Sequence, residues 1–142
     1  VPFWKTMNYK KLNIGWNADP NAPNVELAVV GKNLKIKFNL NPFIFERISE
    51  GAKGELIFNL CFKYSFNSCN DEGYFNGQYR YKEDQLPWGE FYEIQNDWKN
   101  DFHPDFKVLN NDLVTKELKY FIFFFKDNTL ECVAADFEFN NL

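Results

Sequence analysis

The stretch from Lys119 to Phe139, KYFIFFFKDNTLECVAADFEF, constrains the fold more than any other part of the chain. Two runs of aromatic and β-branched residues flank Asp127-Asn128, a dipeptide able to take the left-handed backbone of a tight turn, and this predicts a β-hairpin. Side chains alternate along a strand, so Tyr120, Ile122 and Phe124 point to one face of the first arm and Phe121, Phe123 and Phe125 to the other. Both faces are apolar. Such a strand belongs in the middle of a sheet with something packed on each side, so residues 121–125 are all expected to be buried.

The rest of the 142-residue chain is compatible with one domain and a core that needs no disulfide or metal staple. Aromatic residues make up 20% of it and 17 are Phe, so that core must be aromatic. Charges and Asn interrupt every apolar run before the roughly 18–20 residues of a membrane helix, so no membrane span is expected. A net charge of −4 and only two Arg argue against a nucleic-acid partner, which needs a basic stripe to neutralise phosphates. Three cysteines leave an odd one out. Cys61 and Cys132 fall in strand-like runs where a thiol acts as a small hydrophobe, and the expectation is three free thiols in a reducing, cytoplasmic compartment. VPFWKT precedes Met7, so residues 1–6 read as upstream residues and 7–142 as a single β-rich domain; a trimmed secretory signal is the alternative.

Along the chain, Asn17 to Asn24 is a turn-rich loop with two prolines. Val25 to Leu40 reads as a second hairpin around Gly31-Lys32-Asn33, its second arm alternating Leu34, Ile36, Phe38 and Leu40 inward with Lys35, Lys37 and Asn39 outward. Residues 42–51, PFIFERISEG, carry helix signals in Asn41, Pro42 and Gly51, but their aromatic content favours a strand. Glu55 to Phe66 is a long strand with Leu56, Phe58, Leu60, Phe62, Tyr64 and Phe66 on one face and Asn59, Cys61, Lys63 and Ser65 on the other. Loop signals dominate Asn67 to Asp84, Trp88 to Ile94 reads as a strand, and Asn111 to Leu118 has room for a helical turn or two. The fold class is therefore mainly β: an antiparallel sandwich or a strongly curved sheet of about seven strands, with at most one short helix. The segments Asn70-Asp71-Glu72-Gly73 and FKDNTLEC (residues 125–132) resemble a scattered group of small bacterial proteins without assigned activity. That resemblance implies a bacterial origin and no reaction.

Residues suited to catalysis are sparse. His103, followed by Pro104 in a polar loop, is the sole histidine, and a Ser-His-Asp or Cys-His site would need it. Ser49, Ser65 and Ser68 lack a nucleophile-elbow context. Cys61 and Cys69 lack zinc-ligand spacing, and Cys69 falls where a calcium loop from Asn67 to Gly73 would require oxygen. No metal and no cofactor is expected. Carboxylate pairs fit poorly: Glu90 and Glu93, three apart on a strand, face opposite sides, and Glu131 reads as a strand residue turned to water.

Aromatic types are segregated. Five of the seven Tyr fall between residues 64 and 92, while only three of the 17 Phe fall between 64 and 98. Phe fills cores, whereas Tyr and Trp suit places with one apolar and one wet end, either tying loops to a sheet or anchoring an interface. Charge is segregated too: residues 1–63 hold nine Lys/Arg against five acids, and residues 83–112 hold eight acids against two Lys, a balance of −6. A solvated loop face explains that balance, and so does a surface that selects a basic partner. The functional expectation is a non-catalytic domain, of immunity or inhibitor type, that binds another protein with a basic surface. Its candidate contact residues are Tyr74, Tyr79, Tyr81, Trp88, Glu90, Tyr92, Asp97 and Trp98. A carbohydrate-binding module stacking sugars on Trp88, Tyr79 or Tyr81 is the alternative, and a small carboxylate-dependent hydrolase the third reading.

Overall fold

A computed structural model describes residues 8–68, 86–95, 106–113 and 117–142. Eight strands are present among them: β1 (Tyr9–Lys11), β2 (Glu26–Val30), β3 (Asn33–Asn39), β4 (Lys53–Asn67), β5 (Phe91–Ile94), β6 (Lys107–Val108), β7 (Lys119–Phe124) and β8 (Thr129–Asn141). They form one open antiparallel sheet in the order β1-β5-β7-β8-β4-β3-β2, with β6 beside β4. Of the two architectures the sequence allows, this is the curved sheet. A single 3₁₀ turn, Asn111–Leu113, is the helical element among these residues. No helix there is long and apolar enough to cross a membrane.

Both expected hairpins form. In the first, Val30 pairs with Asn33 across Gly31-Lys32, and positive φ at Gly31 alone (+61°) marks a type II′ turn, whose twist matches that of the strands. In the second, Phe124 pairs with Thr129 and the Phe125 N–H donates to the Asn128 carbonyl at 2.8 Å. Its turn centres on Lys126-Asp127, one residue earlier than the sequence suggests, and neither Asp127 nor Asn128 takes the left-handed conformation. The charge-rich β1 is invisible to sequence reading because three residues, two of them Lys, carry no apolar period.

β7 lies inside the sheet, between β5 and β8, and residues 121–125 are all buried. Two clusters account for its two apolar faces. Phe121, Phe123 and Phe125 join Trp16, Leu34, Ile36, Phe38, Phe58 and Phe91 on the inner face. Tyr120, Ile122 and Phe124 join Phe62, Tyr92, Ile94 and Leu113 on the outer. The Phe38 ring on β3 lies 5.1 Å from Phe123 on β7, edge to face. Those strands are three steps apart in the sheet, about 14 Å if it were flat. The sheet must therefore fold over its inner face. Trp16, from the loop after β1, fills the fold: its ring stacks on Phe139 at 3.9 Å and approaches Phe38, Phe91 and Phe123.

The bend is built at the middle of the two longest strands. Pairing of β4 with β8 slips by one residue between Cys61 and Lys63, next to Leu60 with φ +51°. On β8, Ala135 packs on the outer cluster while Phe137, two residues on, packs on the inner one. Strict alternation therefore fails here: Cys61 points inward, Phe62 outward, and Leu60 is 42% exposed. The single apolar face expected from Leu56 to Phe66 is thus interrupted: Leu56, Phe58, Tyr64 and Phe66 all pack on the inner cluster, but the irregular backbone from Leu60 to Lys63 puts Cys61 in their place, leaves Leu60 exposed and sends Phe62 to the outer cluster.

Residues 42–51 form turns, neither strand nor helix. The Asn41 Oδ1 accepts from the Phe43 N–H at 2.8 Å, and the Leu40 N–H donates to the Ala52 carbonyl at 2.8 Å, closing the loop at its base. An Asn side chain that supplies its own local turn removes the need for a ladder partner. Phe43 and Ile44 are left exposed.

Candidate functional site

A cleft of about 890 Å³ lies where that loop meets the loop after β1 and the end of β8. Leu40, Trp16 and Phe139 line its interior, with Ile44, Phe45 and Ile48 from one wall and Ile14 from the other. The close packing of Leu40 and Phe139 depends on Gly54, where a Cβ would fall 2.8 Å from Phe139 Cε1 and 2.9 Å from Leu40 Cδ2. Ile14 is 88% exposed and Ile44 66%. Glu46, Arg47, Ser49 and Asn141 supply the polar lining. Sequence reading misses this surface, because residues 42–51 read as a strand and nothing in Leu12-Asn13-Ile14-Gly15-Trp16 separates the exposed Ile14 from the buried Trp16.

The predicted contact residues are placed differently. Tyr74, Tyr79, Tyr81, Asp97 and Trp98 lie outside the described residues, as do Cys69, His103 and the Asn70–Gly73 turn. Tyr92 is a core residue: its ring is buried and its hydroxyl donates to the Pro87 carbonyl at 2.6 Å, so it is not a surface anchor. Trp88 is half-buried and packs on Phe124 with ring centres 4.7 Å apart. Of the two ways a Tyr/Trp-rich segment can be used, Trp88 and Tyr92 serve to tie a loop to the sheet.

Glu90 is held by three side chains. Asn13 Nδ2 donates to Oε2 at 2.5 Å, Asn17 Nδ2 to Oε1 at 3.1 Å, and Lys11 Nζ stands 3.1 Å from Oε2. Asn13 also accepts from the Phe91 N–H, at 3.1 Å, and donates to the Trp16 carbonyl. The network thus locks the Trp16 loop to β5. Turned over, the Asn17 amide would set oxygen against the carboxylate, so its Oδ1 is left as a buried acceptor with no partner among the described residues. Asp112, another acid of the 83–112 segment, pairs with Lys32 at 2.6 Å.

Glu131 corrects a second expectation. Its side chain does not face water: the residue is fully buried on β8, opposite Ile122 and Ser65, below the outer cluster. The Tyr120 hydroxyl donates to Oε1, and Asn67 Nδ2 donates to Oε2 at 3.1 Å. Ser65 and Thr129 are buried beside it, and Lys63 lies over the Phe106 ring at 4.6 Å. A buried carboxylate demands such donors, since charge is costly away from water. On the inner face, Cys61 and Cys132 are free, buried thiols. Burial pushes the Cys132 thiol well above its ordinary value, and the Cys61 thiol and the Glu131 carboxylate add to this.

Glu90 and Glu131 are anchored separately, so the geometry does not assemble a hydrolytic carboxylate pair from them. Among the described residues, no three His, Cys, Asp or Glu side chains converge as a metal would require. No protein-family model, curated protein or solved structure matches the chain.

Proposed function

We propose that the chain is a protein-binding domain whose contact surface is centred on this cleft, with an immunity- or inhibitor-type role as its most specific form. One observation carries this reading: Ile14, Ile44 and Leu142 stand exposed around a cleft whose lining also includes Trp16, Leu40 and Phe139. Clustered exposed apolar side chains mark interaction surfaces, because each gains from leaving water only when a partner covers it. The carboxylates nearest to chemistry, Glu90 and Glu131, are engaged in holding loops and strands together, which supports a non-catalytic role. A basic partner is supported by the −6 balance of residues 83–112, and a reducing compartment by the free thiols of Cys61 and Cys132.

Parallel affinity captures with the intact chain and with Ile44→Asp or Ile14→Asp test the reading. Exposed substitutions of this kind change stability by less than about 0.5 kcal/mol, so the melting temperature should hold while the captured protein is lost. Identical captures by all three baits would remove the cleft as the binding surface. A basic partner further requires association to slow between low and physiological salt, where screening shortens electrostatic reach to about 8 Å.

A further inference from the structure

The two outer strands of the sheet are guarded very differently. β1 is only three residues long, and two of them are Lys10 and Lys11, both exposed. Short length and lysines are the usual means of keeping an edge from pairing with another chain. β2, at the other end, has neither protection. It runs five residues, ELAVV, with no proline and no irregularity in its pairing to β3, and Val29 and Val30 are 50% and 54% exposed.

Hairpin geometry fixes which backbone groups of β2 are open. A two-residue turn makes the flanking pair, Val30 and Asn33, a hydrogen-bonded pair, and bonded and non-bonded pairs then alternate. Glu26, Ala28 and Val30 therefore direct their N–H and C=O groups at β3. Leu27 and Val29 direct theirs outward, away from the sheet. Their side chains follow the inner face, since Leu27 pairs with the buried Ile36 and Val29 with the buried Leu34.

This arrangement is self-complementary. We propose that β2 pairs antiparallel with β2 of a second copy of this chain, about a two-fold axis at Ala28. In that register Leu27 of each copy meets Val29 of the other, and the open groups of both residues are satisfied by each other. The inner apolar face then continues across the junction through two Leu–Val contacts. At the axis the two Ala28 residues form a non-bonded pair, where antiparallel strands approach most closely, about 4.5 Å between Cα atoms. A small residue suits that position. The two-fold operation makes the contact isologous and closed, so it ends at a dimer. None of residues 26–30 lines the cleft, so the dimer and the proposed binding surface stand or fall independently.

Analytical ultracentrifugation of the full chain, from low micromolar to near-millimolar concentration, tests this. The expected result is a monomer–dimer equilibrium that weakens by about tenfold or more in Val29→Pro and Val29→Lys. Proline at Val29 removes an N–H that β3 does not use, a position edge strands tolerate, so the melting temperature of the monomer should be kept. Ala28→Cys should form a dimer-linking disulfide under mild oxidation, sensitive to a second Val29→Pro substitution. A monomer at every concentration overturns the proposal. So does a dimer that Val29→Pro leaves intact, which would place the contact on another face. Capture of a different protein through β2, with no self-association, would overturn the choice of a second copy as occupant.

Discussion

Leu60 holds a left-handed backbone, φ +51°, in the middle of the longest strand. An L-residue there is about 1–2 kcal/mol worse than in the right-handed regions, a cost glycine escapes. The usual order of replacements in a strand, Ala above Gly, should consequently be reversed at this position. Leu60→Gly is expected to exceed Leu60→Ala in stability by about 0.5–1 kcal/mol, the backbone relief outweighing the greater freedom of unfolded glycine. Urea denaturation of the two variants decides it, and the ordinary order would refute a left-handed Leu60. Cys132 makes a different claim at the same scale. Burial holds its thiol pKa above the ordinary value, so the folded state keeps a proton that the unfolded state releases from about pH 8.5 upward. With fewer protons on the unfolded state, stability falls as pH rises through that window, by up to about 1.4 kcal/mol per pH unit, and is unaffected well below it. Cys132→Ala should therefore show a shallower loss of stability above about pH 8.5 than the parent chain. Equal slopes would assign the alkaline loss to other groups.

Among the elements, β7 is the most legible in the sequence, β1 leaves no trace in it, and the bulged β4 is found as a strand but with its faces partly misread. Six consecutive apolar residues from Tyr120 to Phe125 admit no solvent-facing side, whatever the partners. If both covers of β7 are packed cores, large-to-small changes on either face should be costly. Phe123→Ala, on the inner face, is expected to lose about 3–5 kcal/mol, and Ile122→Ala, on the outer face, about 2–5 kcal/mol. Chemical denaturation yielding a large loss for Phe123 and almost none for Ile122 would mean that the outer cluster is loosely packed. The alternation from Leu56 to Phe66 looks equally regular, yet it misplaces Leu60 and Phe62, since an extra residue in a strand leaves no mark on an apolar period. The same blindness hides the cleft. Residues 42–51 have strand-like composition, but the hydrogen bond from the Phe43 N–H to the Asn41 side chain turns the chain locally and leaves Ile44 in water. Glu131 escapes sequence reading for a related reason. Alternation places it correctly on the outer face, but only long-range packing determines that Tyr120 and Asn67 meet it there and that this face is covered.

At the scale of the whole molecule, stability is tied to the pairing of β4 with β8, which runs from Gly54–Asn141 to Asn67–Thr129 and joins distant parts of the sequence. Strands on either side are attached to this pair: β3 and β6 to β4, β7 to β8. Cys61 and Cys132 sit on these two strands, both with no exposed surface, inside the fold of the inner face. A reagent can reach them only when the sheet unbends or β4 and β8 part. Fraying of edge strands, which costs little and occurs readily in most folds, should not expose either thiol. In a Cys69→Ser background, where only these two thiols remain, the opening free energy from thiol labelling should equal the global unfolding free energy from urea titration. The two thiols should also react together, as one cooperative unit. Rapid labelling of either in native buffer would show that the fold over the inner face opens without unfolding, and the aromatic cluster around Trp16 would then be a movable closure instead of the core of the molecule.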